Sequence, residues 1–144
     1  MTADQGGPRG ARVGYGTGEI QWDLRMTLPA AGRAVRLARQ AARTALAAWR
    51  LAYAEETTVL LVSELVTNAV RHARGTDAIT LELTAADGWL RIEIADADPR
   101  WPQPRAAAGL DESGFGFVLV DALAGKWGVF QTAAGKAVWA ELSI

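Results

Sequence analysis

Within the stretch SELVTNAVRHA, residues 63–73, Glu64, Asn68 and Arg71 stand at i, i+4 and i+7. On a helix of 3.6 residues per turn this spacing lines an acid, an amide and a guanidinium along one edge, while Leu65, Val66, Ala69, Val70 and Ala73 form an apolar stripe. The chain has no cysteine and a single histidine, His72, which excludes disulfides, thiolate zinc sites, cysteine nucleophiles and His-rich metal sites. Oxygen chemistry is what remains. An Asn amide oxygen suits Mg²⁺, a hard ion that keeps several waters and takes further ligands from phosphates. An Arg three residues on can neutralise phosphate charge, and Glu64 can act as a base toward a hydroxyl nucleophile or orient a water. A charged edge is also what any solvated helix face presents, so the spacing alone leaves both readings open.

Two further places could carry chemistry. Asp96 closes the apolar strand WLRIEIAD, and a carboxylate at such a position needs donors. The exocyclic amine of adenine is one, with apolar strands walling the ring; a turn-starting Asp is the plainer alternative. Gly114 and Gly116 flank Phe115 directly before a helical segment, where small residues let backbone N–H groups approach an anion. No G-x-x-x-x-G-K-[ST] occurs, so a P-loop is excluded.

The elements that must position these residues follow from periodicity. EIQWDLRMTL alternates Ile20, Trp22, Leu24, Met26 and Leu28 against polar partners, which predicts a half-buried strand ended by Pro29. From Ala30 to about Arg50, Val35, Ala38, Ala42, Leu46 and Trp49 share one face of an amphipathic helix whose other positions are rich in Arg. A second helix is expected from near Ala54 to about Arg74, with Glu55 and Glu56 at its positive end and Gly75 as its stop. AITLELTA and WLRIEIAD, joined by Asp87-Gly88, predict a tight hairpin. Residues 97–113 hold three of the five prolines and no periodicity, which predicts a long loop. A short helix from GFGFVLVDALAG and a second hairpin, KWGVFQT with AVWAELS through Ala134-Gly135, complete the order. The expected fold is α+β: a two-layer α/β sandwich, with a mixed, mostly antiparallel sheet and helices on one face.

A length of 144 residues, half of them hydrophobic, suits one domain with a real core. Residues 1–18, with six Gly and few apolar side chains, are expected to be a disordered leader, leaving 19–144 as the domain. No apolar run reaches the roughly 18 residues needed to cross a bilayer, and no signal-peptide pattern opens the chain. A cytoplasmic protein without a membrane partner is expected. Residues 1–50 carry eight Arg against three acids, and residues 51–144 seven bases against thirteen acids. With no Lys/Arg runs interleaved with aromatics, the basic half points to an acidic protein face rather than to direct nucleic-acid contact.

ELVTNAVRHA, IEIADADPRWP, SGFGFVLVDALAGKWGV and GKAVWAEL, in this order, resemble the N box, the two glycine boxes and the closing strand of the GHKL ATP-binding family, whose fold is the Bergerat fold. Within that family the chain looks most like single-domain anti-sigma factor serine/threonine kinases. The similarity covers about residues 20–144. It implies ATP and Mg²⁺ as cofactors, with Asn68 on the metal, Glu64 as general base, Arg71 facing phosphate, Asp96 on the adenine amine, and Gly114 and Gly116 lining the phosphate-side turn. It further implies phosphorylation of Ser or Thr on an anti-sigma factor antagonist, capture of a sigma factor, and a homodimer. Three departures from the family pattern stand in the sequence: Asp98 where a glycine is usual, Ala137 where a Thr is usual, and a short loop bearing Asp111 and Glu112. They motivate an alternative, a non-catalytic partner-binding module of the same fold with weak or no ATP binding.

Overall fold

The computed structural model describes residues 7–8, 12–13, 20–72, 77–96, 120–133 and 135–144. Gly75, the loop 97–113 with Asp98, Asp111 and Glu112, the pair Gly114 and Gly116, and Ala134 of the second turn lie outside the described residues. The elements in chain order are β1 (Gly7–Pro8), β2 (Arg12–Val13), β3 (Ile20–Pro29), α1 (Arg33–Ala48), a 3₁₀ turn (Ala52–Ala54), α2 (Glu55–His72), β4 (Ala78–Ala86), β5 (Trp89–Asp96), β6 (Lys126–Gln131) and β7 (Lys136–Ser143). Residues 120–123 are helical. In the segment expected to be a leader, β1 and β2 each make a two-residue ladder with β3.

The five long strands are ordered β3-β4-β5-β7-β6, and every ladder among the described residues is antiparallel. The expected parallel component does not arise among them, for a topological reason. β5 and β6 run the same way, but β7 lies between them and pairs antiparallel with both. At the other junction, β3 to β4, two helices return the chain to the end it left, so the neighbours oppose.

Alternation sorts the side chains of the sheet. One row, Leu24, Leu83, Ile92, Ala140 and Trp127, runs across all five long strands by direct register pairing. The first four are buried and Trp127 is half-buried, and with their neighbours in phase they form the face against the helices. α1 packs on β3 and on α2, and α2 packs on β5 and β7. Ala34, Ala38, Ala42 and Ala45, all fully buried, let α1 approach its neighbours closely, and Leu46 fills the end of the stripe. Arg33, Arg36, Arg39 and Arg43 stay exposed on the other side.

Local chemistry sets the boundaries. α1 starts at Arg33, three residues later than expected, because Ala30 N–H still bonds Asp77 C=O at the end of the sheet and Ala31-Gly32 supply the first turn carbonyls. It ends in a Schellman motif: Leu51 N–H bonds Leu46 C=O at 2.8 Å and Arg50 N–H bonds Ala47 C=O at 3.2 Å, with Arg50 at φ 61°. The β4–β5 turn has Asp87 at φ 56° and Gly88 at φ 79°, the two positive values a twisted hairpin turn needs. No helix among the described residues is long and apolar enough to cross a membrane.

Candidate functional site

α2 has a direction relative to the sheet. Thr57, near its start, lines a pocket of about 370 Å³ together with Trp89 at the start of β5 and Ser143 at the end of β7. From Thr57 to Asn68 the helix rises about 16 Å. Since α2 packs along β5 and β7, its second half runs toward the opposite end, where β5 finishes at Asp96 and β7 begins at Lys136. The sequence-predicted residues Glu64, Asn68, Arg71 and Asp96 therefore belong to one end of the molecule, and the pocket at Trp89 to the other.

Their environments differ. Asn68 is buried at 8% exposure, and its amide Nδ2 has no hydrogen-bond partner. A buried amide left unsatisfied costs about 1–3 kcal/mol. Glu64 is half-buried one turn earlier, and Arg71 is exposed in the last turn, where a cation suits the negative end of the helix. Trp49 Nε1 and Thr58 Oγ1 are also buried without partners, but they lie at the end of α1 and the start of α2, away from this edge.

Asp96 is in phase with Leu90, Ile92 and Ile94, so its carboxylate is on the helix-covered face. It does not stand alone there. Lys136, its direct partner across the β5–β7 ladder, places Nζ 3.3 Å from Oδ1 and 3.2 Å from Oδ2, and both side chains are only 6% exposed. Residue-type reasoning singled out Asp96 and overlooked Lys136. The signal was present in the period-two pattern, because Lys136 is in phase with Val138, Ala140 and Leu142 and so must point inward.

The arrangement offers a buried amide and a half-buried carboxylate on one helix, with a second carboxylate, already charge-paired, on the sheet below. Among the described residues no cluster of three or more Asp, Glu, His or Cys could hold a metal ion. The unpartnered Nδ2 donor of Asn68 fits an oxygen acceptor such as a phosphate or a metal-bound water, Oδ1 being the atom that a hard divalent ion would take, and the inward-facing Asp96 fits an amine donor.

The profile of the histidine kinase-like ATPase domain matches residues 28–142. An uncharacterized protein of Streptomyces coelicolor is 37% identical over 83 residues, covering 56% of this chain and 79% of that protein. The crystal structure of the RsbU and RsbW domains of Rv1364c from Mycobacterium tuberculosis superposes with a TM-score of 0.65 at 25% identity over 84% of this chain. The chain spans about a third, 32%, of that longer protein's length. The chain thus belongs to the histidine kinase-like ATPase domain family, the GHKL group, and its fold is similar to that of the Mycobacterium tuberculosis RsbU and RsbW domain structure.

Proposed function

We propose that this domain binds Mg·ATP at the end of the sheet marked by Asn68 and Asp96, and phosphorylates a Ser or Thr of an anti-sigma factor antagonist while a separate surface sequesters a sigma factor. The observation that carries this reading is the buried Nδ2 donor of Asn68, which has no partner and would suit a phosphate oxygen, on the same helix edge as Glu64. In the reading, Asn68 ligates Mg²⁺, Asp96 accepts a hydrogen bond from the adenine amine, and Arg71 offsets phosphate charge. Bound Mg²⁺ supplies charge neutralisation of the phosphates. Glu64 accepts the proton of the substrate hydroxyl, and Gly114 and Gly116 belong to the phosphate-side turn. The exposed Arg33, Arg36 and Arg39 offer a basic face for an acidic partner, and a second copy is a further candidate partner.

The test is transfer of labelled γ-phosphate to candidate antagonist proteins. Wild type is expected to label one such partner, and Glu64→Gln to bind nucleotide without labelling it. Absence of labelling on every partner removes the kinase half.

The ion pair favours a second reading, the non-catalytic module. Lys136 already engages both oxygens of Asp96, a contact that adenine would have to share. Calorimetry with Mg·ATP separates the two. Binding at micromolar or tighter Kd that Asp96→Leu abolishes favours the kinase, and silence up to millimolar nucleotide favours the module.

A further inference from the structure

Lys136 ends the sheet on its inner face, directly across the ladder from Asp96, and its ammonium spans both carboxylate oxygens at 3.2 and 3.3 Å. With both side chains 6% exposed, the pair has been taken out of water, an arrangement whose desolvation often outweighs its Coulomb gain and which is weak evidence of a purely stabilising role. It sets an acceptor and a donor side by side at the end of the sheet that carries the candidate site. The Watson–Crick edge of adenine presents the matching pair, an N6 amine that donates next to an N1 that accepts. Hypoxanthine and guanine present the reverse, an O6 that accepts next to an N1–H that donates.

We propose that Lys136 is a specificity-determining residue of the nucleotide site: Asp96 accepts from N6 while Lys136 donates to N1, so that the ion pair reads adenine through two adjacent atoms. The inference rests on the nucleotide-binding reading above and adds to it a second base contact. Ala137, the next residue, carries no polar side-chain atom that could supply this donor. A site that hydrogen-bonds one edge rejects the edge with donors and acceptors exchanged, because its own buried groups are left unpaired.

The experiment measures binding of Mg²⁺ complexes of ATP, 1-deaza-ATP, in which N1 is replaced by C–H, and ITP to the full chain by calorimetry. Wild type is expected to bind ATP about tenfold or more tightly than either analogue, the size of one charge-assisted hydrogen bond. Lys136→Met is expected to lose that same factor for ATP and nothing further for 1-deaza-ATP, and Lys136→Arg to recover part of it. Where Lys136→Met does not fold, Asp96→Asn with Lys136→Met removes both charges, and in that background ATP and 1-deaza-ATP should bind alike. A purely structural lysine weakens all three nucleotides by one common factor, and that result overturns the inference. So does equal binding of ATP and 1-deaza-ATP by wild type, or tighter ATP binding by Lys136→Met, which identifies Lys136 as a competitor for Asp96. If wild type binds none of the three at millimolar concentration, the nucleotide reading itself falls, an outcome distinct from loss of discrimination alone.

Discussion

Strands β5 and β7 carry two ion pairs across the same ladder, one on each face of the sheet. On the inner face Lys136 meets Asp96 with both side chains 6% exposed. On the outer face Arg91 meets Glu141 at 2.9 Å and Glu93 at 3.1 Å, with Arg91 34% exposed and both acids 23% exposed, and its guanidinium lies 4.4 Å from the Trp139 ring centre. The charges are the same and the strands are the same. What differs is water. Screening leaves the outer pair little net energy, so its removal is mild. The inner pair has surrendered hydration on both partners, so its intact form has modest net value while its half-broken form strips a buried charge of its opposite partner in the pair. One face of the ladder can therefore be edited freely, and the other only in matched steps.

The largest expected effect comes from breaking the inner pair on one side. Lys136→Met should lower the unfolding free energy by about 3–5 kcal/mol, the usual range for stranding one member of a buried pair. The double variant Asp96→Leu with Lys136→Met should regain most of that loss, since no charge is then buried. Urea unfolding of wild type, the single and the double variant measures both. A single variant within about 1 kcal/mol of wild type would show that Asp96 is well solvated and that the contrast between the two faces is weaker than their exposures indicate.

How far the sequence carries this contrast depends on distance along the chain. The Asp87-Gly88 turn was legible because its chemistry is local: the positive φ of both residues is a property of a dipeptide. α2 was legible for the same reason, and Glu64, Asn68 and Arg71 fall on its edge as their spacing requires. The end of β3 at Pro29 was equally plain. The Lys136–Asp96 pair was not, because it joins residues 40 apart through the β5–β7 register, which no hairpin turn fixes. Alternation could place each side chain on the inner face, but not opposite the other. β1 and β2 were missed because Gly7–Pro8 and Arg12–Val13 are two-residue ladders without a hydrophobic period.

A middle-sized effect separates site from scaffold on the inner side alone. Asn68→Leu replaces a buried amide whose Nδ2 has no partner with an apolar side chain of similar size, in a helix whose neighbours Leu65 and Val66 are buried. Removing an unsatisfied polar group in this way is expected to raise stability by about 1–2 kcal/mol. Nucleotide binding should be lost in the same protein. Gain of stability with loss of binding is the signature of a group kept for a ligand, and chemical denaturation together with calorimetry reads both. A destabilised Asn68→Leu variant would instead mean that the amide is satisfied in solution, and the proposed metal ligand would have to be sought elsewhere.

The smallest effect belongs to the outer face. Glu141→Gln removes one carboxylate from Arg91 but leaves Glu93, whose Oε2 also accepts hydrogen bonds from Arg91 at 3.3 and 3.1 Å, and it leaves the stacking on Trp139. That indole rests over Gly128 of β6, where an added Cβ would come within 3.0 Å of Trp139 Cζ2 and Nε1, so the ring has a fixed seat independent of Glu141. With one of two acidic partners retained and all three side chains partly in water, the expected loss is at most about 0.5 kcal/mol at low salt. It should vanish near 1 M salt, where the screening length falls to about 3 Å. The Lys136→Met loss, by contrast, should persist at that salt, because a pair excluded from water is screened far less. Unfolding curves of both variants at low and high salt make this comparison directly. A Glu141→Gln loss that exceeded about 2 kcal/mol and ignored salt would mean that something covers the outer face in solution, and the two ion pairs would then have to be treated as equals.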